Sequence, residues 1–374
     1  MKILMIQGGF GAGGAEKMMC SLAAHRTELG DDVHVAAMTM PAAGSFFDYP
    51  AQVHLHVLDR PAPRLPASFL QPRRGLAVRR LIAELRPDLI VSFLTKVNCL
   101  TLLAATGTGI PVIVSERNNP SAQSPRFWRR AQNTLIPRAA GIAMQTHAAA
   151  MDLPPAQAAR AHVVPNHCDP VPFTPAPPAD HCRFVAVGRL DAQKGFDLLL
   201  EAFARLPADL PATLDIFGKG QERDNLQAQI RALGLTGRAR LAGLVPSASD
   251  WLGAGDVAVV SSRYEGFCNV VAEATCSGMP IISFDCPYGP SEMVRHEQNG
   301  LLVPNGDVAG LAKAMERLAR DRELRNELAG AAWIMADRLD TGRIMAQWDA
   351  LIAESLGDTR AARRPQPADS TLSS

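Results

Sequence analysis

Strand-like and helix-like segments alternate along this chain in two separate runs, and that pattern restricts the fold more than any other feature. In the first run, strands are predicted at Lys2 to Gln7, Asp32 to Met40, Asp88 to Phe93, Pro111 to Ser115 and Gly141 to Gln145. Helical stretches fall between them, near Glu16 to Leu29, Arg73 to Leu85, Val97 to Ala105 and Phe127 to Ile136. Residues Pro165 to Asp180 then hold six prolines and little periodicity, the composition of a stiff linker. The alternation restarts with strands at Cys182 to Val187, Ala212 to Phe217, Ala239 to Ala242, Asp256 to Ser261, Pro280 to Phe284 and Leu301 to Val303. Helices are predicted near Phe196 to Leu206, Glu222 to Leu233, Val270 to Cys276 and Val308 to Arg320. Repeated strand–helix–strand units build parallel sheets. The expected fold class is therefore α/β, with two Rossmann-like parallel-sheet domains facing across a cleft. The expected boundaries are residues 1–165, a linker at 166–180 and a second domain at 181–340. A helix at 341–356 is expected to pack back on the first domain, followed by a disordered polar tail at 357–374.

Composition excludes several function classes. The 374 residues are 47% hydrophobic and 20% charged, as in globular proteins, and the net charge of +1 gives no reason to expect nucleic acid as a partner. Charge is unevenly spread: residues 1–172 carry 17 Lys and Arg against 11 Asp and Glu, which leaves 21 against 26 for the rest. Seven scattered cysteines without a Cys-x-x-Cys are expected to be reduced thiols in a cytosolic protein. His167-Cys168 and His181-Cys182 flank the proline-rich stretch, but their spacing matches no common zinc motif. The amino terminus does not read as a signal peptide, and Lys96 and Asn98 interrupt the most apolar long window, Leu89 to Val114. The expected location is cytoplasmic.

The densest chemistry lies between Tyr264 and Pro280. Glu265 and Glu273 straddle a predicted strand-to-helix corner, between an apolar strand at Asp256 to Val260 and a helix at Asn269 to Ser277 that Gly278 ends. Ligands of open α/β sheets bind at such strand ends. Gly266 and Phe267 place backbone N–H groups beside Glu265 at the helix start. The alternative is one Glu favouring a helix N-terminus and the other on a solvated face. Gly188-Arg189-Leu190-Asp191-Ala192-Gln193-Lys194-Gly195 forms another corner, where Arg189 and Lys194 offer two cations to a diphosphate, or else a solvated turn. Ile216 to Gly220 and Leu241 to Pro246 are further corners, either backbone open to a ligand or plain turns. Backbone around Leu244 is placed to meet a flat base, and Ser291, after the strand ending at Phe284, to meet a phosphate or sugar.

Taken together, Gly188-Arg189-Leu190…Lys194-Gly195, Glu265-x7-Glu273 and Gly278-Met279-Pro280 resemble the retaining GT-B glycosyltransferases of family 4, the glycosyl transferases group 1, from Met1 to about Ala353. The resemblance implies a UDP-sugar donor whose diphosphate meets Arg189 and Lys194. It implies that Glu273 takes the ribose hydroxyls and that Glu265 contacts the donor sugar, with the amides of Gly266, Phe267 and Cys268 nearby. It also implies transfer with retention to a glycan acceptor (lipid-linked oligosaccharide, lipopolysaccharide or exopolysaccharide). No Asp-x-Asp occurs, which fits a metal-independent reaction in which cationic side chains neutralise the leaving diphosphate.

The first domain opens with Gly9-x-Gly11-x-x-Gly14 after its first strand, a formal dinucleotide fingerprint. The acid expected at the end of the second strand is missing from Val33 to Met40. Gly13-Gly14-Ala15-Glu16 instead resembles the family's glycine loop beside donor phosphate and acceptor. Relatives often carry a His near Ser115-Glu116-Arg117-Asn118, which this chain lacks. Glu116 and Asn118 are candidates to orient sugar or acceptor, and Arg117 to meet an acceptor phosphate, each weighed against a capped loop ending at Pro120. Seven arginines between Arg60 and Arg86 accompany an apolar stripe of Val78, Leu81, Ile82 and Leu85. They are either the outer face of a core-packed helix or a surface for a diphosphate-linked acceptor or for anionic lipid on the inner face of the plasma membrane. A sugar-nucleotide epimerase, an NAD-dependent oxidoreductase and a non-catalytic sugar-nucleotide sensor are the alternative functions.

Overall fold

The computed structural model describes residues 1–59, 67–117, 119, 126–175, 177, 179–331 and 333–357, and these form two compact α/β units. The first comprises Met1–Val164 with the chain from Gly342 onward, and the second Pro165–Thr341.

The first unit is built on seven parallel strands: β1 (Lys2–Gly9), β2 (Asp32–Thr39), β3 (His54–Val57), β4 (Leu89–Phe93), β5 (Val112–Glu116), β6 (Gly141–Met144) and β7 (Ala161–Val163). Their order across the sheet is β3-β2-β1-β4-β5-β6-β7. β1, β4 and β5 are nearly continuous apolar runs because both faces of a parallel sheet are covered. The connecting helices include α1 (Gly14–Glu28), α2 (Ala67–Leu85), α3 (Thr95–Ala105), α4 (Arg126–Leu135), α5 (His147–Met151) and α6 (Pro155–Ala158). Val78, Leu81 and Ile82 turn the apolar stripe of α2 inward. Two arginines of the basic segment serve the unit itself: Arg74 pairs with Asp59 at 2.6 Å, and Arg79 donates to the carbonyls of Ala104 and Thr106. Arg60 and Arg64 lie outside the described residues.

The second unit has six parallel strands: β8 (Cys182–Val187), β9 (Ala212–Phe217), β10 (Ala239–Gly243), β11 (Val257–Val260), β12 (Ile281–Asp285) and β13 (Leu301–Pro304). They are ordered β10-β9-β8-β11-β12-β13. Side-chain alternation sends successive residues to opposite faces. Val257 and Val259 join a core with Phe184, Leu200 and Phe203, while Ala258 and Val260 join another with Trp251, Val271 and Met335. The helices are α7 (Phe196–Ala204), α8 (Arg223–Ala232), α9 (Ala248–Ala254), α10 (Asn269–Cys276), α11 (Pro290–Met293), α12 (Val308–Arg320), α13 (Arg322–Gly330) and α14 (Trp333–Arg338).

The proline-rich segment is part of this second unit. Cys168 is buried, its N–H donates to the Leu339 carbonyl, and Val171 and Phe173 pack on the core around Val271. Apolar side chains among the prolines are the reason. The last helix, α15 (Thr341–Ser355), places Ile344, Met345, Trp348, Leu351 and Ile352 in the core of the first unit. Trp348 is fully buried and stacks on Phe93 of β4, with ring centroids 5.7 Å apart. Residues 358–374 lie outside the described residues.

Among the described residues, no helix is long and apolar enough to cross a membrane. All seven thiols are free, six of them buried and Cys20 half-buried.

Candidate functional site

In the second sheet the strand order reverses between β8 and β11, so the loops leaving these adjacent strands diverge to opposite faces and open a crevice at their carboxyl ends. The loop after β8 carries Arg189 and Lys194. The loop after β11 carries Glu265. The structure brings two of the expected residues into direct contact there: Lys194 Nζ lies 2.7 Å from Glu265 Oε1, although 71 residues separate them in sequence. Ser262 Oγ donates to the same oxygen at 2.6 Å.

The pair is largely withdrawn from water, with side-chain exposures of 15% for Lys194 and 8% for Glu265. Burial alone would lower the Lys194 pKa, but the Glu265 carboxylate outweighs it and holds the ammonium above its ordinary range. Burial and the same carboxylate push the Cys286 thiol up to about 12 and also raise that of Cys268. A fixed cation and an acid thus stand together in the crevice beside two inert thiols.

Neighbouring loops lock this arrangement. Gln193 donates its side-chain amide to the Tyr264 carbonyl at 3.1 Å, and the Arg263 N–H donates to the Gln193 carbonyl at 2.8 Å. Arg263 grips Asp197, at the start of α7, through two hydrogen bonds of 2.8 and 2.6 Å. Gly195, at φ +61°, sits where a Cβ would collide with the Ser261 carbonyl. Gly289, at φ +134°, sits where one would collide with the Phe267 carbonyl. Only glycine fits both demands, a left-handed backbone and a neighbouring strand of chain at van der Waals range.

The remaining expected residues are distributed around these loops. Arg189 is exposed and its guanidinium lies 3.2 Å from Asp191 and 3.1 Å from Gln193 Oε1. Glu273 is half-buried on α10, in the second turn after Cys268, which caps the helix at φ +68°. Gly266 is half-buried and Phe267 is in the core. Leu244 is exposed in the loop after β10, and Ser291 is exposed on the four-residue α11.

In the first unit the strand order reverses between β1 and β4. Gly13 caps α1, and Gly14 is its first residue. Glu116, at the end of β5, is buried and accepts from Thr95 Oγ1 at 2.6 Å and Gln132 Nε2 at 3.2 Å. Arg117 departs from expectation. Its guanidinium is not presented to an acceptor phosphate but turned into the core, 4.9 Å over the Phe93 ring and 5.3 Å over Trp348, and burial lowers its pKa to about 9. An aromatic cage offsets part of the cost of burying the cation. Asn118 lies outside the described residues.

Ser262, Gln193, Thr95 and Gln132 escaped the sequence reading. Ser262 could have been found, since it stands three residues before Glu265 on the same corner. Thr95 and Gln132 reach Glu116 from separate helices and leave no local signal.

Comparison with known proteins matches these units. The family described as Glycosyl transferases group 1 matches residues 181–321, and a glycosyl transferase 4-like domain matches residues 13–167. LpsE of Rhizobium meliloti, a lipopolysaccharide core biosynthesis glycosyltransferase, is 41% identical over 152 residues, which is 41% of this chain and 44% of LpsE. The Campylobacter jejuni GalNAc-alpha-(1->4)-GalNAc-alpha-(1->3)-diNAcBac-PP-undecaprenol alpha-1,4-N-acetyl-D-galactosaminyltransferase is 25% identical, over 95% of this chain and 99% of that protein. Among solved structures, sucrose-phosphate synthase of Thermosynechococcus elongatus superposes with a TM-score of 0.81 at 19% identity, covering 95% of this chain and 99% of the other. Anabaena HepE in complex with UDP gives 0.77 at 22% identity, covering 96% and 100%. Two parallel-sheet units, a cation–carboxylate pair at the second switch point and matches over both units lead to one assignment: the chain belongs to the glycosyl transferases group 1 family of GT-B glycosyltransferases.

Proposed function

We propose that this chain transfers a hexose or N-acetylhexosamine from a UDP-sugar to a glycan acceptor of the lipid-linked, lipopolysaccharide or exopolysaccharide type, with retention of anomeric configuration and without a metal. The observation that carries this reading is the buried Lys194–Glu265 pair at the β8/β11 switch point. A diphosphate there meets Lys194 and, with a rotation of its exposed side chain, Arg189. Glu265 accepts hydrogen bonds from the sugar, with the amides of Gly266 and Phe267 beside it. Glu273 takes the ribose hydroxyls, Ser291 a phosphate or sugar oxygen, and backbone around Leu244 the base. In the first unit, the Gly13–Gly14 loop and Glu116 are assigned to phosphate, sugar and acceptor orientation, and Asn118 shares that assignment. The surface-glycan enzymes among the relatives support the acceptor class, and the UDP bound to HepE supports the nucleotide.

The step breaks the bond between the anomeric carbon and the diphosphate oxygen, which leaves with the electron pair. The acceptor hydroxyl forms its new bond on the same face and gives its proton to the departing phosphate. Lys194 and Arg189 are already charged where negative charge accumulates, so little reorganisation is needed. We place the enzyme at the inner face of the plasma membrane, with the exposed Arg80 and Arg86 as part of the basic surface.

A thermal-shift panel of UDP-, GDP- and ADP-sugars tests the donor, because a ligand that binds only the folded state raises its apparent stability. A UDP-hexose or UDP-N-acetylhexosamine is expected to give the largest rise; no rise with any UDP-sugar overturns the reading. Arg189→Ala, at an exposed position, is expected to lower kcat/KM about 100-fold without a change in melting temperature. NMR of the product made from an α-linked donor is expected to show an α-glycoside, and a β-product would refute retention.

A further inference from the structure

At the edge of the first sheet, three imidazoles and a carboxylate converge on one face. Asp32 opens β2 and His34 follows two residues later, so both project from the same face. β3 runs parallel beside it with His34 opposite His54 and Ala36 opposite His56. Asp32 Oδ1 lies 3.2 Å from His34 Nε2 and 3.7 Å from His54 Nε2. One ligand atom from each of the three residues lies within 4.8 Å of the others, and among the described residues this is the one group of His, Cys and carboxylate side chains so arranged.

These separations suit a small cation. A tetrahedral ion with bonds of 2.0–2.1 Å holds its ligand atoms about 3.3 Å apart. His34 is also oriented from behind, with its Nδ1 2.9 Å from His56 Nε2. A proton on His34 Nδ1, donated to His56, leaves the Nε2 lone pair facing Asp32 and His54. A ligating histidine is held in this way by a partner on its other nitrogen. The rings of His54 and His56 stack on His34 at centroid distances of 4.7 and 5.2 Å. Lys2 Nζ stands 3.6 Å from the other Asp32 oxygen, Oδ2, and it is exposed enough to swing aside.

We propose that Asp32, His34 and His54 bind a divalent transition ion of the zinc class, which clips β3 to β2. Nitrogen and carboxylate ligands suit zinc. The purpose is structural. β3 is a four-residue edge strand with exposed Leu55 and Val57, and a metal bridge would fix its register and keep the edge from pairing elsewhere. The ligands gather near the amino ends of the strands, opposite the carboxyl ends where Gly13 and Glu116 lie.

Titration of tag-free, full-length protein with ZnCl2, followed by calorimetry, tests this directly. The expected result is saturable binding of one ion per chain, weakened about tenfold or more in His54→Ala. That side chain is 60% exposed, so the variant is expected to fold normally. His56→Ala is expected to weaken binding about tenfold through the lost orientation of His34. Cobalt in place of zinc is expected to give a spectrum without a thiolate charge-transfer band, which separates this site from the seven cysteines. Absence of saturable binding, binding unchanged in His54→Ala, or a thiolate band at the first equivalent would each overturn the proposal.

Discussion

Removing either member of the Lys194–Glu265 pair strands the other in a site with little water. Glu265→Ala leaves a buried ammonium with no counter-charge, a change that costs about 3 kcal/mol or more. Activity lost in that variant would therefore mix chemistry with unfolding, and urea denaturation alongside the assay separates the two. The double variant Lys194→Met, Glu265→Leu removes both charges and replaces them with apolar volume. It is expected to recover most of the wild-type midpoint while remaining inactive. The sequence alone leads one to expect Glu265→Ala to fold like the wild type, because it marks both residues as ligand-binding and carries no sign that they bind each other first.

Elements meet through their loops, and the loops carry the site. Gly289→Ala forces a side chain onto the Phe267 carbonyl in a backbone conformation that alanine rarely adopts. It is expected to cost about 2 kcal/mol and to raise the KM for donor, measured by denaturation and steady-state kinetics. Asp197 ties α7 to the Arg263 loop, and hydrogen bonds from Arg263 hold its pKa below the ordinary 3.8. The folded state then binds fewer protons than the unfolded chain in acid. The contribution is present above pH 3.8 and is lost as pH falls through the lower folded value. Asp197→Asn is expected to flatten that acid-side decline in a pH series of melting temperatures. Most of these elements were legible in sequence. The buried strands β1, β4, β8 and β11 announce themselves as apolar runs, and Gly278 marks the end of α10. The edge strands β3 and β7 were not legible, because His54–Val57 and Ala161–Val163 are too short to establish a period. α9 also went unread, although Ser247 and Asp250 form a reciprocal cap at its start. Lys194 and Glu265 were readable as candidates for one site. Their mutual contact was not, since only the strand order β8-β11 makes neighbours of two distant loops.

At the scale of the whole molecule, the first unit is assembled from both ends of the chain. α15 supplies Trp348, Leu351 and Ile352 to the core that Ile3, Val35 and Phe93 begin. A chain truncated after Asp340 is expected to leave that core open. Limited proteolysis should then digest residues 1–164 while the second unit persists as a resistant fragment. Trp348→Ala in the full chain is expected to cost about 3–5 kcal/mol by calorimetry, the usual penalty for emptying an aromatic site in a core.

On the ribosome the return of the last helix imposes an order. The second unit, Pro165–Thr341, is contiguous and can close as soon as its own residues emerge. The first unit, although translated earlier, must wait for residues beyond Thr341 before its hydrophobic interior is sealed. The half of the enzyme made first is thus the half completed last, and its unfinished core is the surface a nascent-chain chaperone would meet.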